Sequence, residues 1–379
     1  MPVDRLLPSD EAHDLIALTR DFADKRMATI ADEYEKAEKY PDGLFAELGE
    51  AGLLGLPYPT DWDGGGQPYE VYLQVLEELG ARWASIAVAV SVHGLACHPL
   101  FAFGTEDQKQ QWLPDLLNGR LVGAYSLSEP QAGSDAAALV CKATAVDGSY
   151  RINGTKAWIT HGGIADVYSL FARTGEGAKG VSCFLVPRDT DGLSFGKPEE
   201  KMGLHAVPTT AANYDDALVD AGRRLGNEGQ GLQIAFSALD SGRLGIAAVS
   251  TGLAQAALDA AVEYAQERTT FGRKIIDHQG LSFLLADMAA AVDSARATYL
   301  DAARRRDAGR DYTRAASIAK LVATDAAMKV TTDAVQVLGG YGYTRDFRVE
   351  RYMREAKITQ IFEGTNQIQR LVIGRQLAG

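Results

Sequence analysis

Apolar positions change their period twice along the chain. Over residues 9–103 they recur every three or four positions, interrupted by clusters such as Pro57-Tyr58-Pro59 and Asp63-Gly64-Gly65-Gly66, which predicts a helical N-terminal region. From about residue 121 to 226 the pattern shortens to alternating runs at 140–146, 150–158, 167–172 and 181–186. Asp147-Gly148 and Asn153-Gly154 punctuate these runs with dipeptides that tolerate positive φ and suit two-residue hairpin turns, so the segment reads as antiparallel strands. After Gly231 the helical period returns. Leu281, Leu284, Met288, Val292, Ala295 and Tyr299 step by three or four, and Ile318, Leu321, Met328, Val335 and Leu338 continue the phase. Alanine fills many remaining positions, which lets helices approach closely and pack as a bundle.

Helices, then strands, then helices predict an α+β chain: an N-terminal helical domain over 1–120, a middle antiparallel β domain over 121–230 and a C-terminal helical bundle over 231–379. Strands and helices do not alternate. A nucleotide cofactor would therefore not sit on the Gly-rich strand-to-helix turn of a doubly wound sheet.

Composition narrows the function classes. The chain has 379 residues, 46% of them hydrophobic, enough for a sizeable core. Its 38 Lys+Arg against 50 Asp+Glu leave a net charge of −12, which disfavours nucleic acid and anionic membrane surfaces as partners. Cys97, Cys141 and Cys183 are odd in number and lie in apolar runs, without a disulfide framework or ligand spacing, which points to a reducing compartment. Asp4, Arg5, Asp10, Glu11 and Asp14 interrupt the first twenty residues, unlike a secretion signal, and no apolar run reaches the length of a membrane span, so the expected address is cytoplasmic. The six histidines show no metal-ligand spacing, so no metal site is expected. Arg304-Arg305-Arg306, between Asp301 and Asp307, reads as a solvated helix face.

Five segments have the residue types for chemistry. Residues 125–135, YSLSEPQAGSD, offer hydroxyls and amides to a flat heteroaromatic ring or a phosphate, or form an ordinary polar turn. Trp158-Ile159-Thr160-His161-Gly162-Gly163 ends a strand with an aromatic, a hydroxyl and two glycines, or is a buried Trp before a tight turn. Arg268-Thr269-Thr270-Phe271-Gly272-Arg273 sets cationic and aromatic groups at a helix break, or merely caps a helix. Residues 336–343, QVLGGYGY, end a helix in glycines. In residues 361–370, IFEGTNQIQR, Glu363 follows apolar Ile358, Ile361 and Phe362, the setting of a desolvated carboxylate with a raised pKa, or of an ordinary loop Glu.

In this order and spacing the five segments together resemble the acyl-CoA dehydrogenase family, from about residue 15 to the C-terminus, nearest in pattern to its short-chain, butyryl-type members. The resemblance implies an N-terminal helical domain, a middle β domain and a C-terminal four-helix bundle, with FAD held between β domain and helices. Tyr125, Leu127, Ser128, Trp158, Ile159 and Thr160 would line the isoalloxazine ring and ribityl chain. Arg268, Phe271, Gln279, Gln336, Val337, Leu338, Gly339, Gly340, Thr365 and Gln367 match positions that hold the pyrophosphate and adenosine. Some of those contacts cross a subunit interface in the family, which implies an oligomer, a homotetramer built as a dimer of dimers. Ser134, Asp240, Arg243 and Gly364 would face the acyl-CoA. Some relatives acting on branched or long chains carry the base at the position of Gly242, where glycine cannot serve, so Glu363 is the matching candidate.

The implied activity is oxidation of an acyl-CoA thioester to the trans-2-enoyl-CoA in fatty acid β-oxidation. Glu363 would remove the α-proton and flavin N5 would accept the β-hydride, with electrons passing on to an electron-transferring flavoprotein. Residues 86–92, where relatives line the acyl pocket, lack an Arg that would pair with a dicarboxylate tail, which favours a simple short or medium chain. His161 where Asn is common, Gln131 for a frequent Gly, and Ala206-Val207-Pro208 after Met202-Gly203 depart from the family pattern and bear on local turn geometry. A flavin oxidase or monooxygenase on the same fold, and a binding relative without catalysis, are the alternative readings. The second would need a basic surface to serve nucleic acid.

Overall fold

The structure, a computed structural model, describes residues 3–378. Six helices come first: α1 (Asp10–Phe22), α2 (Ala31–Ala37), α3 (Leu44–Glu50), α4 (Tyr69–Arg82), α5 (Ala84–Phe103) and α6 (Glu106–Leu117). Their ends follow local chemistry. Ser9 caps α1 by accepting from Ala12 N, and Thr105 and Gln108 form a reciprocal capping box on α6. Helix α5 is apolar on all sides and accordingly buried.

The strands are β1 (Gly123–Ser126), β2 (Lys142–Val146), β3 (Ser149–Thr160), β4 (Val167–Arg173), β5 (Val181–Pro187), β6 (Leu193–Phe195), β7 (Thr209–Asp220) and β8 (Arg224–Leu225). They form one sheet in the order β6-β7-β3-β2-β4-β5-β8, with β1 beside β4. Pairing is antiparallel except where β1 and β2 each run parallel to β4. Asp147 and Gly148, at φ 44° and 77°, turn β2 into β3 as expected. Asn153-Gly154 does not turn the chain: it lies inside β3, where the register with β7 slips and Gly154 (φ 148°) presses against Cys141. Gly175, Gly177 and Gly180 have the spacing of a dinucleotide-binding turn. They join antiparallel β4 to β5 through a single 3-10 turn at Ala178–Gly180, with Arg173 donating to the carbonyls of Gly175 and Gly177, in place of the strand-to-α-helix turn that holds a phosphate.

The remaining elements are α7 (Gly231–Glu267), the hairpin β9 (Thr269–Thr270) and β10 (Arg273–Lys274), α8 (Gln279–Asp307), α9 (Thr313–Leu338), α10 (Val349–Thr359) and α11 (Asn366–Ala378). In α8 the buried stripe is Leu285, Met288, Val292, Ala295 and Tyr299, close to the predicted phase. In α9 the phase differs. Ile318, Leu321, Met328 and Val335 are only half-buried, while Ala316, Ala319, Ala323, Ala327, Val330 and Ala334 face inward. Small residues occupy the packed face because the backbones run close, as at the α4–α7 crossing, where a Cβ on Gly252 would lie 2.1 Å from Glu77 O.

Helices α5 and α7 are long and apolar enough to cross a bilayer, contrary to the reading of the sequence. Their most apolar windows are 72% buried against the rest of the chain, which accounts for that composition.

Candidate active site

Glu363 sits on the loop between α10 and α11 in a left-handed conformation, φ 51°, followed by Gly364 at φ 87°. A non-glycine residue held there stores strain, so the surroundings must over-determine it. They do so from two helices. Lys320 of α9 donates to Gly364 O and Asn366 Oδ1, both at 2.9 Å, and Gln369 of α11 donates to Gly364 O at 2.8 Å. Asn366 in turn donates to Asp325 at 2.7 Å and Thr324 at 2.9 Å. The Glu363 N–H itself meets no acceptor among the described residues.

Both Glu363 carboxylate oxygens are buried without a hydrogen-bond partner among the described residues. Burial pushes this carboxyl up to about 7, against the pull of the Lys320 and Arg243 charges. Lys320 is pushed down to about 7 by the same burial, with Glu363 opposing. The carboxylate lies over α7 at Gly242, where an added Cβ would stand 2.3 Å from Oε2. Glycine at 242 thus makes room for the Glu363 carboxylate. Next to Gly242, Arg243 pairs with Asp240 at 2.5 Å, and Asp240 also accepts from Thr313 at 2.9 Å. Both Asp240 oxygens are engaged, so Asp240 holds Arg243, whose buried Nε has no partner.

A narrow pocket, about 450 Å³ only when the open solvent at its opening is included, is lined by Gly242, Leu95, Tyr69, Tyr72, His98 and Arg306. Here the solvated-face reading of the arginine cluster needs correction. Arg304 and Arg305 do face outward, bound to Glu70 and Asp301, but Arg306 turns inward, its guanidinium 3.7 Å from the centre of the Tyr69 ring. Residues 86–92 lack an Arg, yet the pocket has one from α8.

On the β domain, a slip in register between Lys156 and Ile159 re-aims Trp158 outward, φ 56° and 57% exposed. A non-glycine residue held at positive φ marks a constrained position of the kind that clusters at ligand sites. Ala157 N donates to Ser128 O, which sets the 127–129 loop beside Trp158, Ile159 and Thr160. The buried Lys156 braces both, donating to Leu127 O at 2.9 Å and Glu129 at 2.7 Å, while Glu129 accepts from Val140 and Cys141 N–H. Tyr125 leans the other way, donating to Ala235 O of α7 close to Glu363 and Arg243. Ser134 is exposed in the loop beyond, and Leu127 and Ile159 are buried. An exposed indole, the half-buried hydroxyls of Ser128 and Thr160 and a desolvated carboxylate suit the flat ring and polyol chain of a flavin.

The third and fourth segments do not join this site within one chain. Arg268 follows the end of α7, about 39 Å along the axis from Gly242 at 1.5 Å per residue. Phe271 is 96% exposed at the tip of the β9–β10 hairpin, near exposed Gln279 at the start of α8. Chain direction brings the end of α9 to the same end of the bundle: Gln336, Gly339 and Gly340 are exposed there, and Val337 and Leu338 are buried. Thr365 and Gln367 lie beside Glu363, Thr365 accepting from Ile368 N–H.

Lys320, Asn366 and Gln369 were not among the expected site residues. Lys320 carried one signal: it falls in phase with Ala316, Ala323 and Ala327 on the inward face of α9, where a charge has no ordinary reason to be.

Family models for the acyl-CoA dehydrogenase N-terminal, middle and C-terminal domains match residues 9–120, 124–217 and 229–378. An acyl-CoA dehydrogenase of Bacillus subtilis is 44% identical over 365 residues, 96% of each chain. The structure of butyryl-CoA dehydrogenase from Megasphaera elsdenii superposes with a TM-score of 0.97 at 41% identity, covering 100% of both chains. A chain from a structure described as the electron transferring flavoprotein of Acidaminococcus fermentans superposes with a TM-score of 0.97 at 42% identity, covering 99% of each.

Proposed function

The chain belongs to the acyl-CoA dehydrogenase family, and from that premise we propose that it oxidises a short acyl-CoA to its trans-2-enoyl-CoA with Glu363 as the base. The observation that carries this is the unpartnered, desolvated Glu363 carboxylate lying against Gly242, which lines the pocket, in a chain whose β domain exposes Trp158. An α-proton of a thioester is weakly acidic. A carboxyl raised to about 7 by burial is a better match to it than a solvated one. The free N–H of Glu363 is placed to receive the thioester oxygen as negative charge develops on it, and Arg243 adds a fixed positive charge nearby.

Tyr125, Leu127, Ser128, Trp158, Ile159 and Thr160 would hold the FAD ring and ribityl chain, with Thr365 and Gln367 alongside. FAD, when bound, supplies the two-electron acceptor for the β-hydrogen. Arg268, Phe271, Gln279 and Gln336 to Gly340, too far along the bundle to reach the same FAD, would serve that of a neighbouring copy. This supports a homo-oligomer, with a tetramer as the family reading. Ser134 would meet the CoA portion. The Megasphaera relative supports a short chain, and the Acidaminococcus structure supports an electron-transferring flavoprotein as the partner that removes the electrons. The expected cytoplasmic address belongs to the same proposal.

Anaerobic titration of the purified flavoprotein with straight-chain acyl-CoA esters tests the reading. Loss of the oxidised-flavin absorbance with C4 to C6 esters is expected. An unbleached flavin with every ester, or protein purified without flavin, would overturn it.

A further inference from the structure

The pocket beside Gly242 has a cation in its lining. Arg306 is the one lining residue with a fixed charge; His98, also in the lining, is held neutral by burial and by Arg306 itself, down to about 4. The guanidinium stacks on Tyr69 and has the Tyr312 hydroxyl as hydrogen-bonding neighbour. Among the described residues no carboxylate pairs with it: Glu70 and Asp301 are taken by Arg304 and Arg305, and Asp307 accepts from the N–H groups of Tyr69 and Glu70. Hydroxyls surround it. Tyr58 and Tyr69 donate to Gly94 O and Ser241 O, while Tyr72, within electrostatic reach of both Arg306 and Glu363, donates to no acceptor among the described residues.

A partly desolvated guanidinium is incompletely satisfied by an aromatic face and one hydroxyl, because its fork presents five N–H donors matched to a carboxylate. An alkyl terminus pushed against it would strip further water from the charge with nothing in return. A carboxylate there would complete the ion pair in a pocket that Gly242, beside the Glu363 carboxylate, also lines. Arg306 lines the pocket and the Glu363 carboxylate lies against Gly242 of the same lining, which favours a substrate whose own anion meets the guanidinium and not the carboxylate.

We propose that Arg306 forms a carboxylate subsite, and that the preferred substrates are short acyl thioesters ending in a carboxylate rather than in a methyl group. The inference rests on the dehydrogenase reading and deepens it, replacing the simple acyl chain favoured by residues 86–92.

The test compares flavin reduction by pentanoyl-CoA and glutaryl-CoA, and by hexanoyl-CoA and adipyl-CoA, in the native chain, Arg306→Met and Arg306→Lys. The native protein is expected to favour the carboxylated ester of each pair in kcat/KM. Arg306→Met should lower that ratio roughly tenfold to a hundredfold through KM, and Arg306→Lys should recover part of it, since the charge remains and the fork is lost. Flavin content and melting temperature of each variant establish that it is folded. A native preference for the methyl-ended esters, or a ratio unmoved in Arg306→Met, overturns the subsite and leaves the dehydrogenase reading standing. Failure of all four esters to reduce the native flavin removes both.

Discussion

Glu77, midway along α4, and Glu363, on the loop after α10, are both removed from solvent, yet their surroundings are opposite. Glu77 accepts from Arg296 at 2.9 and 3.0 Å, from Arg5 at 3.2 Å and from the Tyr299 hydroxyl. Burial would lift its carboxyl, but Arg5 and Arg296 hold it below the usual carboxylate range. Glu363 has two cations nearby and no hydrogen bond to its oxygens, and burial wins. The first carboxylate ties α4 to α8 and to the N-terminal segment. The second is left able to take a proton. Burial alone does not separate them, because Glu355 is buried too, is pushed up to about 8 and likewise has no hydrogen bond to its oxygens among the described residues, but lies against Arg351 at 3.3 Å. Glu363 differs in having no ion pair among the described residues and in lying against Gly242, which lines the pocket.

The largest expected effect removes the reactive member of the comparison. Glu363→Gln keeps the shape and loses the base, so flavin reduction by a good ester should slow by about 10²–10⁴-fold, the usual worth of a positioned base. The fold should gain above neutral pH. A carboxyl raised in the folded state costs stability as pH climbs from its unfolded value of about 4.5 through about 7, and glutamine removes that slope. Stopped-flow reduction and melting at pH 5 and 8 read both effects. Reduction within threefold of the native rate would make Glu363 one more buried carboxylate.

The same change at Glu77 should do the reverse. Glu77→Ala leaves Arg5 and Arg296 buried without their shared partner, a loss of about 3–5 kcal/mol of stability by denaturant titration. The rate of flavin reduction per folded, flavin-loaded site should stay within about twofold, since this cluster touches neither pocket nor loop. A large loss of rate with little loss of stability would erase the contrast.

The two regions also differ in how far the sequence discloses them. Periodic segments did so well: β2 to β5 and the packed stripe of α8 follow from alternation and from three-and-four spacing. Glu363 stood out because a carboxylate among Ile358, Ile361 and Phe362 breaks the local pattern. Long-range partners left no such mark. Arg306 reads as the third member of a solvated run, since only the α4–α8 contact turns its side chain inward over Tyr69. Asn153-Gly154 satisfies the chemistry of a turn, and pairing with β7 overrides it into a bulge. The inward face of α9 is made of alanines that a search for large apolar residues passes over, and Lys320 hides among them.

Lys320 offers the finest probe of the comparison, because it does for Glu363 through space what Arg5 and Arg296 do for Glu77 by contact. It lowers the Glu363 carboxyl, and its own burial has brought it down to about 7, so the two groups titrate as a pair and the rate of flavin reduction should rise with pH to a plateau through that region. Lys320→Met removes the cation together with the donors to Gly364 and Asn366. The ascending limb should move up by about one pH unit, the scale expected for loss of one nearby charge. Lys320→Arg should restore the native limb if charge is what matters, even where the plateau rate falls because the loop is held less well. A purely structural lysine would lower the plateau in both variants and leave the limb in place, and that outcome would move Lys320 from the electrostatics of the base to the scaffold beneath it.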